Sequence, residues 1–90
     1  MAAMDGRAGG QTSPLRAVVE VVVKTLVDHP ESVKVTESVR RGMTVVELTT
    51  APGDMGKIIG RQGRTAAALR TLVALTAERY GVRAQLDIRD

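Results

Sequence analysis

The residue types that could perform chemistry are concentrated in one stretch, Gly56-Lys57-Ile58-Ile59-Gly60-Arg61-Gln62-Gly63-Arg64. Gly60 and Gly63 enclose a turn in which no Cβ atom at either end blocks close approach to the backbone. We predict that the N–H groups of this turn are unpaired donors at the start of a long helix, where the helix dipole also favours an anion. The chemistry indicated is hydrogen bonding to phosphate groups.

Basic side chains surround the turn. The formal net charge of the chain is +3, and the window from Gly53 to Arg70 also sums to +3, so the remainder sums to zero. The charged residues of the window are Lys57, Arg61, Arg64 and Arg70, opposed by Asp54 alone. Such a local excess raises the electrostatic potential where an anion would bind. Turn and side chains together predict a site for a sugar-phosphate backbone.

Two other phosphate-binding motifs do not fit this stretch. A Walker loop ending at Lys57 would need glycine in place of Ala51 and serine or threonine in place of Ile58. A dinucleotide fingerprint would also need glycine at position 58, and its turn follows a strand, whereas this one is predicted to join two helices.

Catalytic and metal-binding side chains are scarce. The chain has no Cys and a single His29, which excludes a thiolate or multi-histidine metal site. Glu47 and Asp54 are the carboxylates nearest the turn, and we expect both to be ordinary surface groups. Acid-base or nucleophilic catalysis needs a nucleophile with a base, or paired carboxylates in a pocket. The sequence therefore predicts a protein without catalytic activity, metal or cofactor.

The first predicted element is a helix that begins after Ser13, a good N-cap, with Pro14 at its first position. Its apolar residues recur at spacings of three and four, namely Leu15, Val18, Val19, Val22, Val23, Leu26 and Val27. Pro30 ends the element, and His29 is then expected at the helix end, where it can complement the helix dipole.

Two strands are predicted to follow as antiparallel neighbours. Val33, Val35 and Val39 alternate with polar residues in the first, and Thr44 to Thr50 forms the second. Arg40, Arg41 and Gly42 form the hairpin turn between them. The two arginines could assist binding or could simply be solvated.

The remaining elements are a short helix from Asp54 to Ile59, a long helix from Arg64 and a final strand. The apolar positions of the long helix are Ala66, Leu69, Val73, Thr76 and Tyr80, and Gly81 is its expected left-handed cap. Val82, Ala84, Leu86 and Ile88 alternate with polar residues in the strand. The order helix-strand-strand-helix-helix-strand predicts an α+β domain with a three-stranded sheet and helices packed on one face.

Length and composition limit the number of domains and the class of protein. Ninety residues suffice for one small domain, and we assign residues 13–90 to it and residues 1–12 to a disordered tail. No stretch approaches the roughly 18 apolar residues of a membrane span, and residues 1–11 lack the apolar core of a signal peptide. We expect a cytoplasmic protein without a membrane span.

At Ile59-Gly60-Arg61-Gln62-Gly63 the chain resembles the KH domain, whose Ile-Gly-x-x-Gly turn between two helices clamps about four nucleotides. The element order is similar to that of type II, the bacterial arrangement. More narrowly, the stretch from Gly56 to Thr65 resembles the KhpA family of small RNA-binding proteins. The resemblance implies single-stranded RNA binding, a homodimer or a heterodimer with a KhpB-like KH protein, and a role as a post-transcriptional regulator or RNA chaperone linked to cell growth and envelope elongation.

The RNA-binding residues predicted in this way are Gly60, Arg61, Gln62, Gly63, Lys57, Ile58, Ile59, Arg64 and Arg70. Ile58 and Ile59 could offer apolar surface to unstacked bases or could belong to the core. Stacking on aromatic rings cannot contribute much, because Tyr80 is the one aromatic residue in the chain. The alternative function is a protein-interaction adaptor that acts mainly through a KH-protein partner.

Overall fold

The computed structural model describes residues 13–89. The elements are α1 (Pro14–Leu26), β1 (Lys34–Arg40), β2 (Met43–Thr49), α2 (Met55–Ile59), α3 (Arg64–Arg79) and β3 (Arg83–Arg89). This is the predicted order, and each boundary lies within a few residues of its expected place. The tail predicted for residues 1–12 lies outside the described residues.

The sheet has the strand order β1-β2-β3, with β2 antiparallel to β1 and parallel to β3. Because β2 is the central strand, it is the most deeply buried of the three, and its side chains Val46 and Leu48 are fully enclosed. Both belong to the core cluster formed with the inner faces of α1 and α3, including Val19, Val23 and Leu69. The α+β fold with helices on one face of the sheet is thus confirmed.

Two predicted helix caps are present. The Ser13 hydroxyl accepts a hydrogen bond from the N–H of Arg16 at 3.2 Å, which satisfies a free donor in the first turn of α1. At the end of α3, Gly81 is left-handed with φ of 70°. The N–H of Val82 then bonds to the carbonyl of Ala77 at 2.9 Å, which closes the helix and directs the chain into β3.

The end of α1 differs from the prediction. The helix stops at Leu26, and His29 lies in the linker before β1 rather than at the helix end. The N–H groups of Asp28 and His29 donate to the Asp54 carboxylate at 3.1 and 2.9 Å, so an acceptor from a distant segment replaces the helical carbonyls. Val27 remains buried although its backbone is extended.

Four residues placed on apolar faces by periodicity are exposed instead, namely Leu26, Val39, Tyr80 and Val82. Val39 is in the half of edge strand β1 that the helices do not cover. In α3 the buried positions are Ala66, Leu69, Val73 and Ala77, so the inward stripe ends at Ala77 rather than passing through Thr76 to Tyr80. Among residues 13–89, no helix has the length and apolar character needed to traverse a lipid bilayer.

Candidate nucleic-acid interface

The turn between α2 and α3 is held in a backbone conformation that few residue types adopt. Gly60 has φ of 77° and ψ of 172°, a region accessible essentially to glycine alone. Gly63 and Gln62 are both left-handed, with φ of 74° and 57°. The two-glycine pattern therefore forms a sharp reversal that exposes Arg61 and Gln62 at its tip.

Gly60 is also required by packing. A Cβ atom built there would lie 2.2 Å from Oγ1 of Thr65 and 2.9 Å from its backbone nitrogen. The first turn of α3 thus folds directly against Gly60, whereas a Cβ at Gly63 would meet open space. Sequence analysis missed Thr65, because a threonine inside a helix carries no signal that it closes over a glycine.

The backbone donors of the turn are fewer than expected. The N–H of Gly60 bonds to the carbonyl of Gly56 at 2.8 Å, that of Gly63 to Gly60 at 3.1 Å, and that of Arg64 to Arg61. The prediction that the N–H groups of the turn are unpaired is wrong for these three, because the reversal is itself a short stretch of 3₁₀ helix. Within residues 13–89, the N–H groups of Arg61 and Gln62 have no hydrogen-bond partner.

Three of the four predicted basic side chains are available. Arg61, Arg64 and Arg70 are exposed and form no ion pair with any residue between positions 13 and 89. Lys57 differs, because its Nζ lies 3.1 Å from a carboxylate oxygen of Asp28 and 3.9 Å from one of Asp54. Asp28 lies in the linker after α1, so charge counting along the sequence could not detect that Lys57 is partly neutralised.

Asp54 is a buried structural group rather than the surface carboxylate that was expected. Its exposed fraction is 1%. Burial raises the pKa of Asp54, but the backbone hydrogen bonds from Asp28 and His29, with the electrostatic contributions of His29 and Lys57, outweigh burial and hold the pKa below its ordinary value of 3.8. The carboxylate therefore stays charged and ties the linker after α1 to the start of α2. Glu47 is half-buried and pairs with Arg89 at 3.3 Å.

The two isoleucines before the turn have different positions. Ile58 is 0% exposed and belongs to the core, whereas Ile59 is 39% exposed beside the turn. A base lying against this surface would therefore contact Ile59, while Ile58 anchors α2 beneath it.

Arg70 lies farther along α3, six residues and about 9 Å from Arg64. It faces edge strand β3 across a cleft of about 420 Å³, whose other lining residues are Ala84, Gln85, Leu86 and Asp87. The structure thus brings together the turn, Ile59, Arg64 and, at a greater distance, Arg70 with its cleft. We refer to this set as the candidate interface.

Comparison with known proteins identifies similar chains. Residues 16–88 match the family model described as the KhpA/KhpB KH domain. A relative from Halalkalibacterium halodurans, named RNA-binding protein KhpA, is 45% identical over 76 residues, which is 84% of this chain and 100% of the relative. Relatives of the same name from Aquifex aeolicus and Chlamydia muridarum are each 42% identical over 76 residues, covering 84% of this chain and 96% and 97% of the relatives.

Proposed function

This chain belongs to the KhpA/KhpB family of KH domains, which are not enzymes, and from that premise we propose that it binds single-stranded RNA by holding backbone phosphates at the Gly60–Gly63 turn. The observation that carries the proposal is at the tip of this turn, where the N–H groups of Arg61 and Gln62 have no hydrogen-bond partner among residues 13–89. An exposed phosphate oxygen can accept from both, and the positive end of α3 follows immediately.

The side chains around the turn support the same ligand. Arg61 and Arg64 add charge-assisted donors beside the backbone N–H groups, and such hydrogen bonds are about twice as strong as neutral ones. Lys57 can join them only by leaving Asp28, so its contribution is smaller. Three or four phosphate contacts predict that the logarithm of affinity falls with the logarithm of salt concentration at a slope of about −2 to −3.

We expect the bases of the bound RNA to contact Ile59 and to lie in the cleft beside Arg70. The cleft is bordered by β3, an edge strand, whose backbone groups on that side are not paired within the sheet. Such groups can bond to base edges of an unstacked strand. Tyr80 lies at the far end of α3, so ring stacking does not strengthen the interaction, and we expect modest affinity for short RNA.

The test replaces Arg61 and Gln62 by Asp. The net charge falls from +3 to zero, since the first change removes two units and the second removes one. Both new carboxylates stand where a phosphate would lie, and RNA binding should be abolished. The fold should survive because both positions are exposed and because Asp tolerates the left-handed conformation of Gln62. Circular dichroism melting and fluorescence anisotropy with single-stranded RNA measure the two outcomes.

A charge-matched control is the double substitution Ser32→Glu with Lys34→Glu, which also brings the net charge to zero at exposed positions outside the turn. It should retain most of the binding. If the turn variant melts normally and still binds RNA as tightly as the parent, the turn does not hold phosphate and the proposal is wrong.

We also propose self-association, or pairing with a KhpB-like KH protein, because two coupled sites of about four nucleotides each gain avidity. An apolar groove of about 390 Å³ on the helical side favours it, lined by Ala17, Val18, Val21, Val22 and Leu72. The same groove is the observation in favour of the second candidate, an adaptor that acts mainly through its partner. A role in the cytoplasm as a regulator or RNA chaperone in growth and envelope elongation is carried over from the family resemblance alone.

A further inference from the structure

The outer face of the sheet, opposite the helices, gathers arginines that are far apart in the sequence. Arg40 pairs with Met43 across β1 and β2, and Met43 pairs with Arg83 across β2 and β3. The three side chains therefore form one row on the same face, and the two arginine Cα atoms are separated by about 10 Å, two strand spacings. Arg41 follows Arg40 in the hairpin turn, and all three arginines are exposed.

In the part of the chain that the structure describes, no acidic group is paired with the cluster of Arg40, Arg41 and Arg83. The acids on the same face of the sheet, Glu47 and Asp87, lie four residues farther along their strands, and Glu47 is already paired with Arg89. The hairpin end of this face is therefore a concentrated positive patch.

The backbone conformation of Arg41 is one that arginine rarely adopts. Arg41 and Gly42 have φ of 52° and 77°, the two positive values of a type I′ hairpin turn. Such turns favour Asn, Asp or Gly at the first central position, and a long side chain in this conformation is strained. Arg41 is thus held in a strained position next to two further arginines that form no ion pair with the described residues, which points to a role for its side chain.

We propose that the arginine cluster is a second contact site for the RNA backbone, separate from the Gly60–Gly63 turn. This inference rests on the RNA binding proposed above. The turn precedes α3 and Arg83 follows it, so the two sites are separated by about the length of a 16-residue helix, or about 24 Å. At a stacked rise of about 3.4 Å per nucleotide, roughly seven nucleotides span that distance. A strand longer than the clamped tetranucleotide can reach both sites.

The experiment compares a 4-nucleotide and a 12-nucleotide oligouridine, using the parent and the triple variant Arg40→Gln, Arg41→Asn, Arg83→Gln. The variant should bind the short RNA like the parent and the long RNA more weakly. Its salt slope for the long RNA should be shallower by about 2, since about 0.7 is lost with each of three phosphate contacts. Lys34→Gln removes a positive charge at the other end of the same face, so it is the control for position and should leave both affinities unchanged.

Arg41→Asn alone separates a structural role from a binding role. Asn suits the turn better, so the variant should melt at a higher temperature than the parent and yet bind the 12-nucleotide RNA more weakly. A higher melting temperature with unchanged binding would show that Arg41 is only tolerated and would count against the proposal.

The other possible results of these binding experiments distinguish failure of the proposed function from failure of the second site. If the parent binds neither RNA, the proposed function fails and this inference fails with it. If the parent binds both and the triple variant binds the 12-nucleotide RNA equally well, only the second site is refuted. If the triple variant keeps RNA binding but loses sedimentation with phosphatidylglycerol vesicles, the cluster contacts an anionic membrane surface and the proposal is wrong.

Discussion

Three glycines near the turn occupy different environments, although the sequence presents them alike. Gly60 combines a positive φ with close packing against Thr65. Gly63 has a positive φ and open space around it. Gly56 has neither constraint and lies inside α2, where glycine is a poor helix former.

Substituting alanine at each position should therefore give three different results. Gly60→Ala should lower the free energy of unfolding by roughly 3 kcal/mol, because backbone strain and overpacking add. Gly63→Ala should lower it by about 1 kcal/mol through left-handed strain alone. Gly56→Ala should raise it by up to about 1 kcal/mol. Urea denaturation measures all three, and equal losses at Gly60 and Gly63 would contradict the role assigned to Thr65.

The sequence could not predict which of the two isoleucines before the turn is buried. The motif correctly located the turn, because its glycines have a local conformational cause. It could not separate Ile58 from Ile59, since α2 has five residues and its helical phase is not fixed by so short a pattern. Only the packing of α2 against α1 and α3 places Ile58 in the core and leaves Ile59 outside.

At the level of elements, local signals located most of the fold. Ser13 and Gly81 were identified as caps because capping depends on neighbouring residues. The end of α1 was misplaced because it depends on Asp54, which reaches the linker only in the folded chain. This one carboxylate connects α1, the linker and α2, the element that carries the turn.

The Asp54 connection should be visible as a pH dependence of stability. Because the folded pKa is below the ordinary value, the charged carboxylate stabilises the fold at neutral pH. That stabilisation is fully present above the ordinary pKa of 3.8, which applies to the unfolded chain, and is lost as pH falls through the lower folded pKa. Asp54→Asn should melt at a lower temperature than the parent at pH 7, and the difference should narrow below about pH 4.

Thermal melts of both proteins from pH 3 to pH 7 provide the measurement. Asp28→Asn is a suitable control, because it removes an exposed carboxylate and leaves the two N–H donors to Asp54 in place. A difference between the parent and Asp54→Asn that is the same at pH 3 and pH 7 would show that the charge of Asp54 does not stabilise the linker.

Across the whole molecule, the fold distributes charge in a way that composition could not indicate. Charge counting correctly found an excess of positive charge near the turn. The fold places Asp28 beside Lys57, and this ion pair reduces the excess. The same counting assigned zero net charge to the rest of the chain, although Arg40 and Arg83 converge there on one row. Both effects come from tertiary contacts between distant segments.

Helix α3 lies between the cleft that contains Arg70 and the apolar groove that contains Leu72. Arg70 faces the cleft beside β3, whereas Leu72 lines the apolar groove against α1. The two positions are about 200° apart around the helix axis. A second copy bound at the groove would therefore leave the candidate interface of each copy open.

The double variant Val21→Glu, Leu72→Glu, which alters two residues that line the groove, should convert an assembly of two copies into a monomer of 9.6 kDa. Val21 is 67% exposed and Leu72 is 38% exposed, so the monomer should keep its fold, and glutamate is a better helix former than valine. Val39→Glu is the matched control, because Val39 is also 67% exposed but lies on edge strand β1, outside the groove. Multi-angle light scattering should show twice the monomer mass for the parent and for the control. A monomeric parent that also fails to bind a KhpB KH domain would remove the case for association, whereas a dimeric double variant would place the interface elsewhere.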